Sequence, residues 1–243
     1  GPFDAVVDSR GQVFITDISN CAIRKVDANG IITTVKGGDC AAPDAVQNAF
    51  DIDVDAEDRV LIAQNGGDAV VRFDGTTFTP LTGTSASGPL VDGGIATQMR
   101  FGTVRGVAAH GDAVYLALVT QARIVEIDAQ GVVHFVAGTG APGFSGDGGP
   151  ASLAALDIPS RVALDGAGNI FEAEIGNRDV RRIDGATGVI TSIAGAPPHV
   201  DVELAQALAV AVDREGRTVW GDFTSFVGRV EVDGERTVLA GDG

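Results

Sequence analysis

The chain has 243 residues, room for one large all-β domain or two small ones, with 34 glycines, 5% aromatic residues and a 44% hydrophobic fraction carried mostly by small side chains. Its 17 basic and 33 acidic residues give a formal charge of −16. Nucleic acid and anionic lipid are thereby poor partners, because phosphate binding needs a basic surface. No stretch approaches the roughly 18 apolar residues that a helical membrane span requires.

Self-comparison finds five copies of one pattern, the strongest organisational signal in the chain. They run from Pro2 to Gly38, Phe50 to Gly83, Val104 to Gly138, Pro159 to Gly195 and Leu208 to Gly241. A polar anchor after the first apolar run falls at Asp8, Asp55, His110, Asp165 and Asp213, at spacings of 47, 55, 55 and 48. In the first copy, Ala5-Val6-Val7 predicts a strand, Asp8 to Gly11 a turn, and Val13-Phe14-Ile15 a second strand. Ile23 to Asp27 alternates apolar and charged residues as a half-buried strand does. Asn29-Gly30 is a tight hairpin turn, since Gly tolerates positive φ, and Ile31 to Val35 is the fourth strand. Four antiparallel strands per copy, burying their faces on neighbouring copies, predict an all-β propeller with blades near 2–40, 49–83, 103–138, 158–195 and 207–243.

The run from Gly138 to Asp184, GTGAPGFSGDGGPASLAALDIPSRVALDGAGNIFEAEIGNRDVRRID, resembles the bacterial NHL-repeat proteins. Those carry GFSGDGGPA between blades, then a Pro-led first strand and a D-x-x-N-x-x-I-R-K segment, present here as Asp17, Asn20, Ile23, Arg24 and Lys25. The resemblance spans essentially the whole chain and implies a β-propeller of NHL-type repeats, a fold that hosts binders and enzymes alike. Such propellers are usually six-bladed. Five copies leave two readings, a five-bladed ring or a six-bladed ring with one blade missing from this chain.

Propeller topology puts the loop between strands two and three on one face with the long connections between blades. Loops on a rigid scaffold are where binding resides, which makes Asn20, Asn177 and Asp147 candidate ligand-binding residues. Asp4, Asp51, Arg105 and Arg161 lead into first strands, where they would ring the channel mouth and either grip an anionic or zwitterionic molecule or pair with one another. Asp17, Glu174 and Asp222 follow the second strand, with Gln64 and Leu118 there in the other copies. They are candidate oxygen ligands for Ca²⁺ or another divalent cation, or else turn-forming carboxylates needing no cofactor. His110, His134 and His199 occupy three different places in the repeat, so no catalytic zinc set of three ligands is expected. Ser145 lies in a Gly-rich loop without a predicted histidine, and that loop precedes no helix to cradle phosphate. Cys21 and Cys40 fall at one end of adjacent strands, where a disulfide is geometrically reasonable and would indicate an oxidising compartment.

Three functions follow. The first is an extracytoplasmic module (secreted, periplasmic or cell-surface) that binds a protein, glycan or small ligand through its long-loop face and channel mouth. The second is a metal-dependent hydrolase or lyase resembling gluconolactonase-like propellers. The third is a structural segment of a larger surface protein.

Overall fold

The computed structural model describes residues 1–42, 45–64, 70–84, 87–195, 207–213, 215–222, 227–231 and 235–240. It contains twenty strands in five four-stranded antiparallel sheets. The first blade is β1 (Pro2–Val7), β2 (Val13–Asp17), β3 (Ala22–Val26) and β4 (Ile32–Gly37). The second is β5 (Ala49–Val54), β6 (Val60–Gln64), β7 (Val70–Phe73) and β8 (Phe78–Pro80). The third is β9 (Val104–His110), β10 (Ala113–Leu118), β11 (Arg123–Ile127) and β12 (Val133–Ala137). The fourth is β13 (Pro159–Leu164), β14 (Ile170–Glu174), β15 (Asp179–Ile183) and β16 (Ile190–Ala194). The fifth is β17 (Ala207–Val212), β18 (Thr218–Asp222), β19 (Val227–Val230) and β20 (Arg236–Ala240). Within each sheet the strands lie in sequence order, so every copy closes on itself as a meander.

The chain forms two compact units, Gly1–Leu116 with Glu126–His134, and Ala117–Val125 with Phe135–Gly243. In the first unit, Phe14 and Ile23 of blade one pack with Ile52, Ile62 and Phe73 of blade two. In the second, Phe171, Ala173 and Val180 of blade four pack with Ala207, Val210, Trp220 and Val230 of blade five. Alternation puts one residue in two onto such a seam, which is why small and branched apolar residues dominate.

The repeated anchor is a turn device. The Asp8 carboxylate accepts the N–H groups of Arg10 and Gln12 at 3.0 and 2.8 Å. Asp55, Asp165 and Asp213 receive the matching pairs in their own blades. The last turn residue has positive φ, 75° at Gly11 and 78° at Gly168, while blade two has Asp58 there at 60°. Asp58 gains a compensating contact, since its carboxylate accepts the Ser9 N–H and hydroxyl at 2.8 and 2.6 Å. Four of the first strands have a register shift near their start, between Pro2 and Asp4, Ala49 and Asp51, Pro159 and Arg161, and Ala207 and Ala209.

Candidate functional site

The densest chemistry lies on one face of blade four. In β14, Glu172 and Glu174 are two residues apart and share a face. The β14–β15 register pairs Glu172 with Arg181 and Glu174 with Asp179, so the four side chains form one patch. The other face of the same strands carries the apolar seam with blade five. All four ionisable residues are fully buried.

Arg181 organises the patch. Its Nε and Nη2 donate to Asp147 Oδ1 at 3.1 and 2.6 Å, Nη2 also donates to the Ser145 carbonyl at 2.9 Å, and Nη1 to that of Ala155 at 3.2 Å. Glu174 Oε1 lies 3.5 Å from Nη1, and Oε2 accepts the Asn177 amide at 2.6 Å and the Asp157 N–H. Among the described residues, no N–H group is in hydrogen-bonding position to either oxygen of Glu172 or of Asp179, whose nearest polar neighbours include Glu174 and Ser192. Burial raises the pKa of Glu172 well above the ordinary carboxyl value, with neighbouring Glu174 adding to it. Burial likewise pushes Glu174 up, and takes Asp179 to about 8 with the charge of Glu174 second. Burial also disfavours the charged forms of Asp147 and Arg181. Ser192 and Arg181 nevertheless hold Asp147 below its usual range, and the carboxylates around Arg181 keep its pKa raised. The patch is therefore one tightly held cation among carboxyls that retain protons well above their ordinary range.

These contacts clamp the connection between blades three and four. From Gly138 it runs along the outer edge of β16 and back. Gly148 N–H donates to the Ile190 carbonyl at 2.8 Å, Ile190 N–H to Gly149 at 3.0 Å, Ser192 N–H to Asp147 Oδ2 at 3.0 Å, and Ala151 N–H to Gly188 at 2.9 Å. The Asp-Gly-Gly element thus covers an edge strand, rather than standing free on the face where topology alone would display it. Gly146 is required, because a Cβ there would stand 2.7 Å from Ala154 Cα at a φ of +97°. The preceding connection does the same for β12: Gly93 N–H donates to Val133 at 2.8 Å, Val133 N–H to Gly94 at 2.9 Å, and Ala96 N–H to Gly131 at 2.9 Å. Each connection holds a short 3-10 turn, Ala96–Gln98 or Ala151–Leu153. Each also exposes apolar side chains: Val91 and Ile95 in one, Phe144 (41%) and Leu153 (69%) in the other.

Asp4 and Asp51 reach across blade seams, accepting the N–H groups of Ile52 at 3.3 Å and Val107 at 2.7 Å. Asp53 does likewise for Ala109 at 2.7 Å, and burial raises its pKa to about 6. Arg105 sits one register position before the aspartates, its guanidinium 5.1 Å from the Phe50 ring centroid, with Phe3 edge-on to Phe50 at 5.5 Å. Arg161 occupies the aspartate register in blade four, in the other compact unit. Asn20 donates to Asp17 at 2.8 Å, repeating the Asn177–Glu174 contact. Asp222 ends β18 opposite Ala207, and its side chain lies outside the described residues, as does His199. His134 is exposed and pairs with Asp128 at 2.9 Å. Ser145 Oγ accepts the Ala155 N–H at 3.2 Å. Cys21 and Cys40 form a disulfide with Cα atoms 5.1 Å apart. Among the described residues, no group of three or more His, Cys, Asp or Glu could hold a metal ion. Sequence reasoning missed Glu172, Asp179 and Arg181. Their signal was charge at alternate positions of two strands in the most complete repeat.

No protein-family model and no curated protein matches the chain in sequence. Solved structures do. A streptogramin B lyase structure superposes with a TM-score of 0.67 at 15% identity, covering 98% of this chain and 68% of that one. Virginiamycin B lyase from Staphylococcus aureus gives 0.66 at 16%, covering 98% and 69%. A chain of the nidogen–laminin complex gives 0.67 at 13%, covering 97% and 78%. At such identities the likeness carries the fold alone: these are β-propeller proteins, and five blades of four antiparallel strands belong to that class.

Proposed function

We propose that this propeller is an extracytoplasmic, NHL-type binding module that meets a protein partner through its clamped inter-blade connections. The observation that carries the reading is the pairing of rigidity with exposed apolar surface. Arg181 and Glu174 hold the backbone around Ser145, Ala155 and Asp157, while Leu153 of the same connection faces solvent and the half-exposed Phe144 ring lies over the Arg181 guanidinium at 5.1 Å. A preorganised loop loses little conformational entropy on binding, and exposed aromatic and aliphatic side chains supply the contact area. The Cys21–Cys40 disulfide suits an oxidising compartment, and nidogen with laminin is a propeller seen in a protein complex.

The test is a Leu153→Ser variant, compared with the parent by chemical cross-linking in the extracellular fraction of the source cells. The variant should keep the parent's melting temperature and lose its cross-linked partner. Unchanged cross-links would sink the reading. Likeness to the lyases supports a second reading, a metal-dependent hydrolase or lyase using Asp17, Glu174 or Asp222. Stoichiometric Ca²⁺, Zn²⁺ or Mn²⁺ surviving dialysis, and lost in Asp17→Ala, would put it first.

A further inference from the structure

Blade one carries the receptor half of the blade-four clamp. Register sets Arg24 where blade four has Arg181: Arg24 pairs with Ile15 and Thr34, as Arg181 does with Glu172 and Ser192. Asp17 and Asn20 repeat Glu174 and Asn177. By the same register Ile32 matches Ile190, and Thr34 matches Ser192. Blades two, three and five hold Val71, Val125 and Gly228 at the arginine position.

Among the described residues, nothing lies on blade one as Asp147 to Gly149 lie on blade four. Arg24 Nε is buried without a hydrogen-bond partner among those residues, and so is Asp17 Oδ1. β4 is the terminal strand of its sheet. Ile31 and Ile32 are 58% and 51% exposed, whereas Ile190 under its Asp-Gly-Gly element is fully buried. An edge strand rich in β-branched residues, with open N–H and C=O groups, is a ready template for an added extended segment.

We propose that the outer edge of blade one is a binding site for an extended peptide bearing an acid–Gly–Gly sequence, with Arg24 as the receptor for its carboxylate. Blade four supplies the docking geometry. The acid takes the guanidinium and the Thr34 N–H, the first glycine N–H goes to the Ile32 carbonyl, and the second glycine carbonyl accepts the Ile32 N–H. Glycine lets the peptide backbone approach the strand closely, and an arginine fork suits a carboxylate better than an ammonium would. The site is independent of what Phe144 and Leu153 touch.

The probe is a fluorescein-labelled peptide with the sequence of residues 143–154, GFSGDGGPASLA, titrated into the full chain by fluorescence polarisation. Saturable one-to-one binding is expected, weakened about tenfold or more by Arg24→Gln and by Asp→Asn in the peptide, as for loss of a charge-assisted hydrogen bond. Thr34→Pro, which removes the edge N–H, should weaken it independently. Binding that is absent, or insensitive to Arg24→Gln and Thr34→Pro, overturns the proposal. So does a dimer of the chain alone in sedimentation velocity that Arg24→Gln dissolves, since the occupant would then be a second copy.

Discussion

Blades one and four share a strand plan, an acid–Asn pair and an arginine at the same register, yet they solve the edge problem differently. Blade four buries Arg181 among carboxyls and uses it to hold a connection along β16, so its outer strand is an interior strand in all but name. Among the described residues, blade one leaves Arg24 Nε without a partner and β4 open to water. Its short connection to blade two is tied down by the Cys21–Cys40 disulfide. One repeat sequence can therefore yield either a sealed blade or a receptive one, depending on whether a segment is at hand to fill the edge.

Paired substitutions sharpen that contrast. Arg181→Gln strips the cation from a buried carboxyl cluster and should cost about 3–5 kcal/mol in urea denaturation, against less than about 0.5 kcal/mol for Arg24→Gln. Equal losses at the two arginines would erase the distinction. Ile190→Ala, in a filled edge, should cost about 2–5 kcal/mol, and Ile32→Ala should stay within about 0.5 kcal/mol. Replacing Cys21 and Cys40 together by Ser should cost about 2–4 kcal/mol, by freeing a loop with a sequence separation of 19 residues.

A further expectation is a pH slope to which blade four contributes. Asp179 goes from an ordinary 3.8 to about 8 on folding, so between those values the native state binds more protons than the unfolded one. Its contribution is fully present below about 3.8 and declines as pH rises through 8, at no more than about 1.4 kcal/mol per pH unit. Asp179→Asn should make the decline shallower in denaturation curves collected from pH 5 to 9. A slope unchanged in that variant would mean that the Asp179 carboxyl does not hold its proton there.

The repeat, its strands and the cysteine pair were legible in the sequence because each rests on local information: alternation, turn residues and position at strand ends. The anchor aspartates were legible for the same reason, since Asp8 and Asp165 bond within their own turns. Arg105 was aligned with Asp4 and Asp51, but the matching cross-seam bonds from Ile52 to Asp4 and from Val107 to Asp51 put it one position earlier, which is invisible without the neighbouring blade. The path of the Asp-Gly-Gly connections was equally hidden. Topology fixes where a connection starts and ends, and hydrogen bonding to a distant edge decides where it travels.

By itself, then, the chain's sequence determined five four-stranded repeats and the turns that punctuate them, since those depend on residues a few positions apart. Tertiary structure decided which arginine is saturated and which edge is covered. It also decided that Glu172 and Asp179 are buried among other carboxyls, because such matters depend on packing between segments tens of residues apart, where burial raises the cost of every unpaired charge.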